Sequence, residues 1–265
     1  MVSPAPSRRQ RRLGQNFLAD TNLLDAIVRE SEIGTEDVAL EIGAGAGALS
    51  ARLADASAHL HMIEVDRGLE QDLAPLARRA DVTMHWGDAM KLDLGALDPA
   101  PSIVVSNLPY SAATPLILRT ITDLAGVDRW TVMVQREVGE RLAASSGSRL
   151  YGAPSVLAQL AAEVAVTRRV PAEVFVPRPR VDSALLRLRR IGPAAPANVR
   201  ELVRAAFAHR RKSLPRSVEL AGAGRLENVR AALRALGLRE DARAESLTPT
   251  QFAALADKLA DAGPG

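Results

Sequence analysis

Four consecutive residues, Asn107-Leu108-Pro109-Tyr110, form the stretch of this chain best suited to do chemistry. An amide oxygen, a backbone carbonyl and an aromatic ring in that order suit the amino group of an aromatic base. The lone pair of such an amine is conjugated into its ring. A site that accepts hydrogen bonds from both amino hydrogens draws the nitrogen toward tetrahedral geometry and aims the lone pair. Asn107 offers one acceptor through its side-chain oxygen. The Leu108 carbonyl offers the other, and Pro109 restricts Leu108 to an extended conformation that holds that carbonyl in place. Tyr110 offers a flat face for a base removed from its helix. The chemistry this favours is group transfer from an already activated donor, where positioning and electrostatics outweigh a strong base. The same four residues also make an ordinary Asn-initiated turn with a buried tyrosine. Their place in the fold has to decide.

That place follows from the hydrophobic pattern. Val38–Ile42, Leu60–Glu64, Val82–Trp86, Ile103–Ser106 and Trp130–Gln135 read as strands. Asp20–Ser31, Ala48–Ala54, Gly68–Ala77, Pro115–Leu124 and Glu137–Ala144 read as helices between them. The alternation predicts an α/β fold with a parallel sheet and helices on both faces. In such sheets ligands bind beyond the carboxyl ends of the strands. Those ends are Gly43, Glu64, Asp88 and Asn107, all small or polar, and their agreement weighs more than any one of them. Further on, Tyr151–Glu163 reads as a helix, and Val164–Val170 and Ser183–Arg189 as strands around a Pro-rich loop, Val176–Arg180. Ile191–Ala197 is a Gly/Pro/Ala linker. Beyond it the pattern turns helical at Val199–Ala208, Leu226–Leu236 and Thr248–Ala260. The expected division is 1–190, with 1–12 a basic tail, and a small all-helical domain over 191–265.

The glycine loop Gly43-Ala44-Gly45-Ala46-Gly47 lies at a strand-to-helix turn, where glycines let backbone approach a ligand. Gly43, Gly45 and Ala48 also satisfy the dinucleotide fingerprint, with Glu64 about 20 residues on. The loop alone therefore does not separate a nicotinamide enzyme from a methyltransferase. Both bind an adenosine and use an acid at the second strand end for ribose hydroxyls. Asp88 offers an acceptor for an adenine amino group, or is simply a turn or cap aspartate.

Composition narrows the classes. The chain has 265 residues, 47% apolar, and no apolar run near the length of a membrane helix. There is no cysteine, which removes disulfides, thiolate metal sites and a cysteine nucleophile. The four histidines, His59, His61, His85 and His209, lack metal-ligand spacing, and His59 and His61 read as strand or exposed residues. No metal is expected. Net charge is +3, but nine Arg or Lys against one acid lie between Arg187 and Arg216, and four arginines between Arg8 and Arg12. Such clusters suit a polyanion, or a solvated basic face. The N-terminal segment has no apolar core and does not read as a secretory signal. A cytoplasmic monomer is the expectation.

With these residues in place, the chain resembles the ribosomal RNA adenine dimethyltransferases, most closely the KsgA-like bacterial small-subunit branch. The likeness runs from Leu13-Gly14-Gln15-Asn16-Phe17-Leu18 through Glu41-Ile42-Gly43, Ile63-Glu64-x-Asp66, Gly87-Asp88-Ala89 and Asn107-Leu108-Pro109-Tyr110. It continues through Gln135-Arg136-Glu137-Val138, Tyr151-Gly152, Phe175-x-Pro177-x-Pro179 and Phe207-Ala208-His209-Arg210-Arg211-Lys212-Ser213-Leu214. One departure is Ser111, where many relatives carry Asn.

The resemblance implies a Rossmann-like class I methyltransferase sheet and S-adenosyl-L-methionine held by Asn16, Leu18, Gly43, Glu64, Asp88 and Asn107. It implies a target adenine between Tyr110 and Phe175, although Phe175 reads equally well as core. The implied reaction puts two methyl groups on each of two adjacent adenines near the 3′ end of small-subunit (16S) rRNA. Arg210, Arg211 and Lys212 would bind phosphates rather than read bases. Two alternatives share the fold: the large-subunit adenine methyltransferase of macrolide resistance, and a non-catalytic ribosome-assembly factor.

Overall fold

The structure is a computed structural model and describes residues 17–18 and 20–261. Asn16 and the Arg8–Arg12 cluster lie outside the described residues. Among the described residues there are nine strands: β1 (Phe17–Leu18), β2 (Val38–Ile42), β3 (His59–Glu64), β4 (Val82–Trp86), β5 (Ile103–Asn107), β6 (Arg129–Gln135), β7 (Ala162–Val170), β8 (Phe175–Val176) and β9 (Ser183–Arg190). The helices of the first half are α1 (Thr21–Ser31), α2 (Ala48–Ala56), α3 (Glu70–Ala77), α4 (Ala113–Asp123) and α5 (Arg136–Leu142). Those of the second half are α6 (Ala153–Gln159), α7 (Ala197–Ala208), α8 (Leu214–Leu220), α9 (Leu226–Ala235) and α10 (Pro249–Asp261).

The seven-stranded sheet has the order β4-β3-β2-β5-β6-β9-β7. Strands β4 to β6 are mutually parallel and β9 runs antiparallel to β6. The chain works outward from β2 to β4, then returns to the other side of β2 with β5. This reversal places the carboxyl ends of β2 and β5 side by side, which is where open α/β sheets open a crevice. Both strands are buried nearly throughout, as central strands covered on both faces must be, with Glu41 and Ser106 the buried polar residues within them. Ala39, Ile103, Val105 and Met133 share a core with Leu24 and Ile27 of α1 and Leu49 and Leu53 of α2. Alternate residues belong to the other face, where Trp130 Nε1 donates to Thr120 Oγ1 of α4 at 3.0 Å. Helices thus cover both faces. Asp20 starts α1 by accepting from the Leu23 N–H at 2.9 Å.

Contacts divide the chain into two compact units, 1–139 with 164–190, and 140–163 with 191–265. The break at 190 coincides with the expected linker, but residues 140–163 pack with the C-terminal helices rather than with the sheet. The physical reason is visible inside the second unit. Tyr151 is fully buried and its ring stands edge-on to Phe207 of α7, which in turn meets Phe252 of α10. The expected helix Tyr151–Glu163 stops at Gln159, and Ala162 already begins β7. A helix absent from the sequence reading, α8, carries Pro215 in its first turn, where the missing N–H costs nothing.

His61 lies in β3, as the strand reading expects, but it corrects the expectation of an exposed histidine. It is fully buried, its Nε2 is 2.8 Å from the Pro99 carbonyl, and its Nδ1 is 3.0 Å from His85 Nε2. A carbonyl can only accept, so Nε2 carries the hydrogen and Nδ1 of the neutral ring accepts from His85. Burial holds His61 below its ordinary value, and His85 likewise. A histidine lowered on folding stabilises fully above its unfolded value, near 6.5, and loses that contribution as pH falls through the folded one. The melting temperature is therefore expected to drop between about pH 7 and pH 5, and His61→Gln should flatten that slope. An equal slope in the variant rules out the histidine pair as its source.

Candidate active site

A cavity of roughly 340 Å³ opens at the carboxyl ends of β2, β3, β4 and β5. Gly43, Gly45, Glu64, Asp88, Asn107, Leu108, Pro109, Tyr110 and Leu18 all line it. The structure thus brings together every described residue of the expected site except Phe175. Its lining includes Glu41, Glu64 and Asp88 but no Arg, Lys or His among the described residues. A pocket with three carboxyl groups and no basic side chain is matched to a ligand that carries positive charge.

The glycine loop is pinned to β3. The N–H groups of Gly43 and Ala44 both donate to the Ile63 carbonyl, at 2.8 and 3.2 Å. Gly43 has φ +85, and a side chain there would come within 3.7 Å of the Asn107 carbonyl oxygen and of Pro109 Cδ. Gly47 has φ +83, and a Cβ would sit 2.9 Å from Leu76. At Gly43 the 3.7 Å contacts leave room for a Cβ and it is the left-handed backbone that favours glycine, whereas at Gly47 both the positive φ and the packing against Leu76 do. Buried Ser106 reinforces the same junction, its hydroxyl accepting from the Ile42 N–H at 2.9 Å.

Glu64 organises the loops. Its Oε2 accepts from Gly45 N–H at 2.9 Å, and its Oε1 from Val65 and Asp66 N–H at 2.8 Å each. A carboxylate has about four acceptor positions, so roughly one remains open toward the cavity. Its carbonyl also receives the Gly87 N–H, tying the β4 end to the β3 end. Asp88 is exposed and its Oδ1 accepts from the Met90 N–H at 2.9 Å. The segment after Asp88 is clamped from α4: the Arg119 guanidinium donates to the carbonyls of Ala89 and Leu92. Nothing in the linear pattern points to Arg119, which looks like one charged position on an amphipathic helix.

The Asn107–Tyr110 element is equally fixed. Leu108 donates its N–H to the Met133 carbonyl at 3.0 Å, continuing the β5–β6 ladder by one residue. Of the two backbone groups of Leu108, the carbonyl is the one this bond leaves. Tyr110 is half-buried, and its hydroxyl lies 2.6 Å from Oγ of Ser183 at the start of β9. Burial raises the phenol and the Ser183 bond partly lowers it. The ring is thereby held at the cavity edge.

Phe175 stands apart. It is 2% exposed, belongs to the hydrophobic core and does not line the cavity. Its strand, β8, pairs antiparallel with β1, in register with Leu18. Phe175 thus sits one strand behind a cavity residue. In the second unit, Arg210 is drawn inward, donating to the carbonyls of Arg149 and Tyr151. Arg211 and Lys212 are exposed and make no ion pair among the described residues.

Comparison with known proteins agrees with this geometry. A family described as "Ribosomal RNA adenine dimethylase" matches residues 7–261. "Ribosomal RNA small subunit methyltransferase A" of Rubrobacter xylanophilus is 43% identical over 96% of this chain and 96% of its own length. Among solved structures, a dimethyladenosine transferase from Plasmodium falciparum superposes with TM-score 0.76 at 22% identity, covering 90% of this chain and 95% of the other. The 23S rRNA methyltransferase ErmE superposes with TM-score 0.65 at 25% identity, covering 92% and 100%. The α/β fold expected from the strand pattern, and the methyltransferase sheet that the resemblance implies, are the fold observed, and the chain belongs to the ribosomal RNA adenine dimethylase family.

Proposed function

We propose that this chain transfers methyl groups from S-adenosyl-L-methionine to the N6 amino groups of two adjacent adenines near the 3′ end of 16S rRNA in the small ribosomal subunit. The observation that carries this is the position of Asn107-Leu108-Pro109-Tyr110. The element closes β5 at the sheet reversal and lines one cavity with Gly43, Glu64 and Asp88. The cofactor supplies a methyl group activated by a positive sulfonium. Glu64 holds the ribose hydroxyls with its remaining acceptor position, Asp88 the adenine end, and Gly43, Leu18 and Asn16 the rest. Asn107 and the Leu108 carbonyl accept the two amino hydrogens of the target base, and Tyr110 stacks on it. Phe175 is the second wall of the base site, supported by its register with Leu18. To serve there its ring must turn out of the core.

The protein acts as a cytoplasmic monomer, consistent with the lack of a membrane-crossing helix among the described residues. The helical region 191–265 contacts rRNA, with Arg211 and Lys212 as phosphate ligands. Arg210 serves chiefly to hold the 149–151 backbone. Removing Arg211 and Lys212 together, by alanine, should reduce the slope of log affinity against log salt by about 1.5–2 for binding to small subunits. An unchanged slope would place the phosphate-binding face elsewhere.

The deciding assay is transfer of labelled methyl groups to immature small subunits, followed by mapping of the modified bases. The expected product is dimethylated adjacent adenines near the 16S 3′ end. Labelling confined to large-subunit rRNA, or none above background, overturns the assignment. Expression in a sensitive bacterium should confer no macrolide resistance.

A further inference from the structure

We infer that Glu41 sits beneath the glycine loop as a neutral carboxylic acid and releases its proton to solvent when the cationic cofactor enters the cavity. This rests on the S-adenosylmethionine reading above, and nothing in that reading uses Glu41.

Glu41 is the penultimate residue of β2, only 1% exposed, yet it lines the cavity. Its Oε2 has no hydrogen-bond partner among the described residues. The Ser50 hydroxyl on α2 is the one neighbouring group that favours the charged form, yet neither Glu41 Oε2 nor Ser50 Oγ finds a partner at hydrogen-bonding geometry among the described residues. A buried ionised carboxylate without donors or a cation is costly, and such a group takes up a proton instead.

The surroundings offer no relief. On β3, Glu64 lies close enough to act on Glu41 as a like charge. Asp66 beyond it is buried, and Asp88 at the β4 end adds a third carboxyl group to the cavity. The basic side chain of α2, Arg52, is bonded instead to Asp25 of α1 at 2.6 Å on the surface. Burial accordingly pushes Glu41 up to about 8, with Glu64 adding to the rise and Ser50 offsetting a part.

The two adjacent carboxyl groups are thus held differently. Glu64 accepts from three backbone N–H groups, whereas Glu41 Oε2 has no partner among the described residues. A ligand bearing a sulfonium and an ammonium brings the missing positive charge. The carboxylate then becomes the favoured form, and the proton leaves to the buffer. No bond other than O–H changes.

Calorimetric titration of the full chain with S-adenosylmethionine, in buffers of different ionisation enthalpy, counts the protons released. At about pH 6.5 the ligand α-amino group, ordinarily near 7.7–8.0, is already protonated and adds little. The expected count is about one for the wild type and about zero for Glu41→Gln, which still binds. An infrared difference spectrum of the wild type alone gives an independent reading. The carbonyl band of a protonated buried acid should vanish on saturation. Binding without proton release, or equal release in both proteins, or a persistent acid band, overturns this inference alone. A wild type that does not bind the cofactor overturns the cofactor reading and this inference with it.

Discussion

Replacing Asn107 by alanine is expected to lower the rate of methyl transfer about a thousandfold while changing the affinity for S-adenosylhomocysteine only a few-fold. The split follows from which part of Asn107 faces which ligand. Its backbone carbonyl oxygen is the atom that approaches Gly43. That contact, with the β2–β5 junction it belongs to, survives loss of the side chain. The side-chain oxygen is assigned to the reacting amino group, whose hydrogens become more acidic as the nitrogen acquires the methyl. An acceptor placed there strengthens its bond in the transition state, and only such interactions raise kcat. Asn107→Asp keeps an oxygen acceptor but adds charge beside three carboxyl groups, so it should fall between the two. Single-turnover transfer to immature small subunits, with calorimetry on the same variants, separates the effects. A rate for Asn107→Ala within tenfold of wild type would remove the side chain from the chemistry.

The strands were legible where short β-prone runs stand between turn residues. Val38–Ile42, a central strand buried along nearly its whole length, and Val82–Trp86, a mostly half-buried edge strand, are both read at the observed boundaries. The residue that ends such a run is polar for a reason that must be local. What the pattern did not reveal depends on who faces whom across the sheet. His59 and His61 alternate like half-exposed strand residues, and His59 is half-buried, yet the strand beyond supplies Thr83 and His85 as partners and His61 is fully buried. Phe175 carries no signal that separates a core ring from a base-stacking one, and the structure places it in the core. Residues 140–163 precede a strand of the sheet in sequence, but Tyr151 finds its aromatic partner 56 residues later, at Phe207, which in turn meets Phe252. Only tertiary contact decides such cases. Glu41 had the one usable signal: an acid inside an otherwise apolar central strand, directly before a glycine loop, has no structural reason to be there.

The same chemical change, glutamate to glutamine, should have opposite consequences at positions 41 and 64. At Glu64 both oxygens face N–H groups, and an amide must turn its NH2 toward one set of them. Either Gly45 or the Val65–Asp66 pair then meets a donor instead of an acceptor. A buried donor left unpaired costs roughly 1–3 kcal/mol, and the bonds lost were charge-assisted. Glu64→Gln should therefore lose on the order of 2–4 kcal/mol of stability. It should weaken cofactor binding a hundredfold or more, because the loops that shape the cavity are no longer tied to β3. At Glu41 the sign reverses. A carboxyl raised on folding, from 4.5 to about 8, contributes its stability below the unfolded value and loses it as pH rises toward the folded one. Glutamine mimics the neutral acid at every pH. The ligand-free Glu41→Gln protein should match wild type near pH 4.5 and exceed it at neutral pH, by an amount on the order of 3 kcal/mol. Denaturant unfolding of both variants across this range tests the pair together. If Glu41→Gln were destabilised at neutral pH as Glu64→Gln is, Glu41 would have to be an ionised, hydrogen-bonded carboxylate like its neighbour.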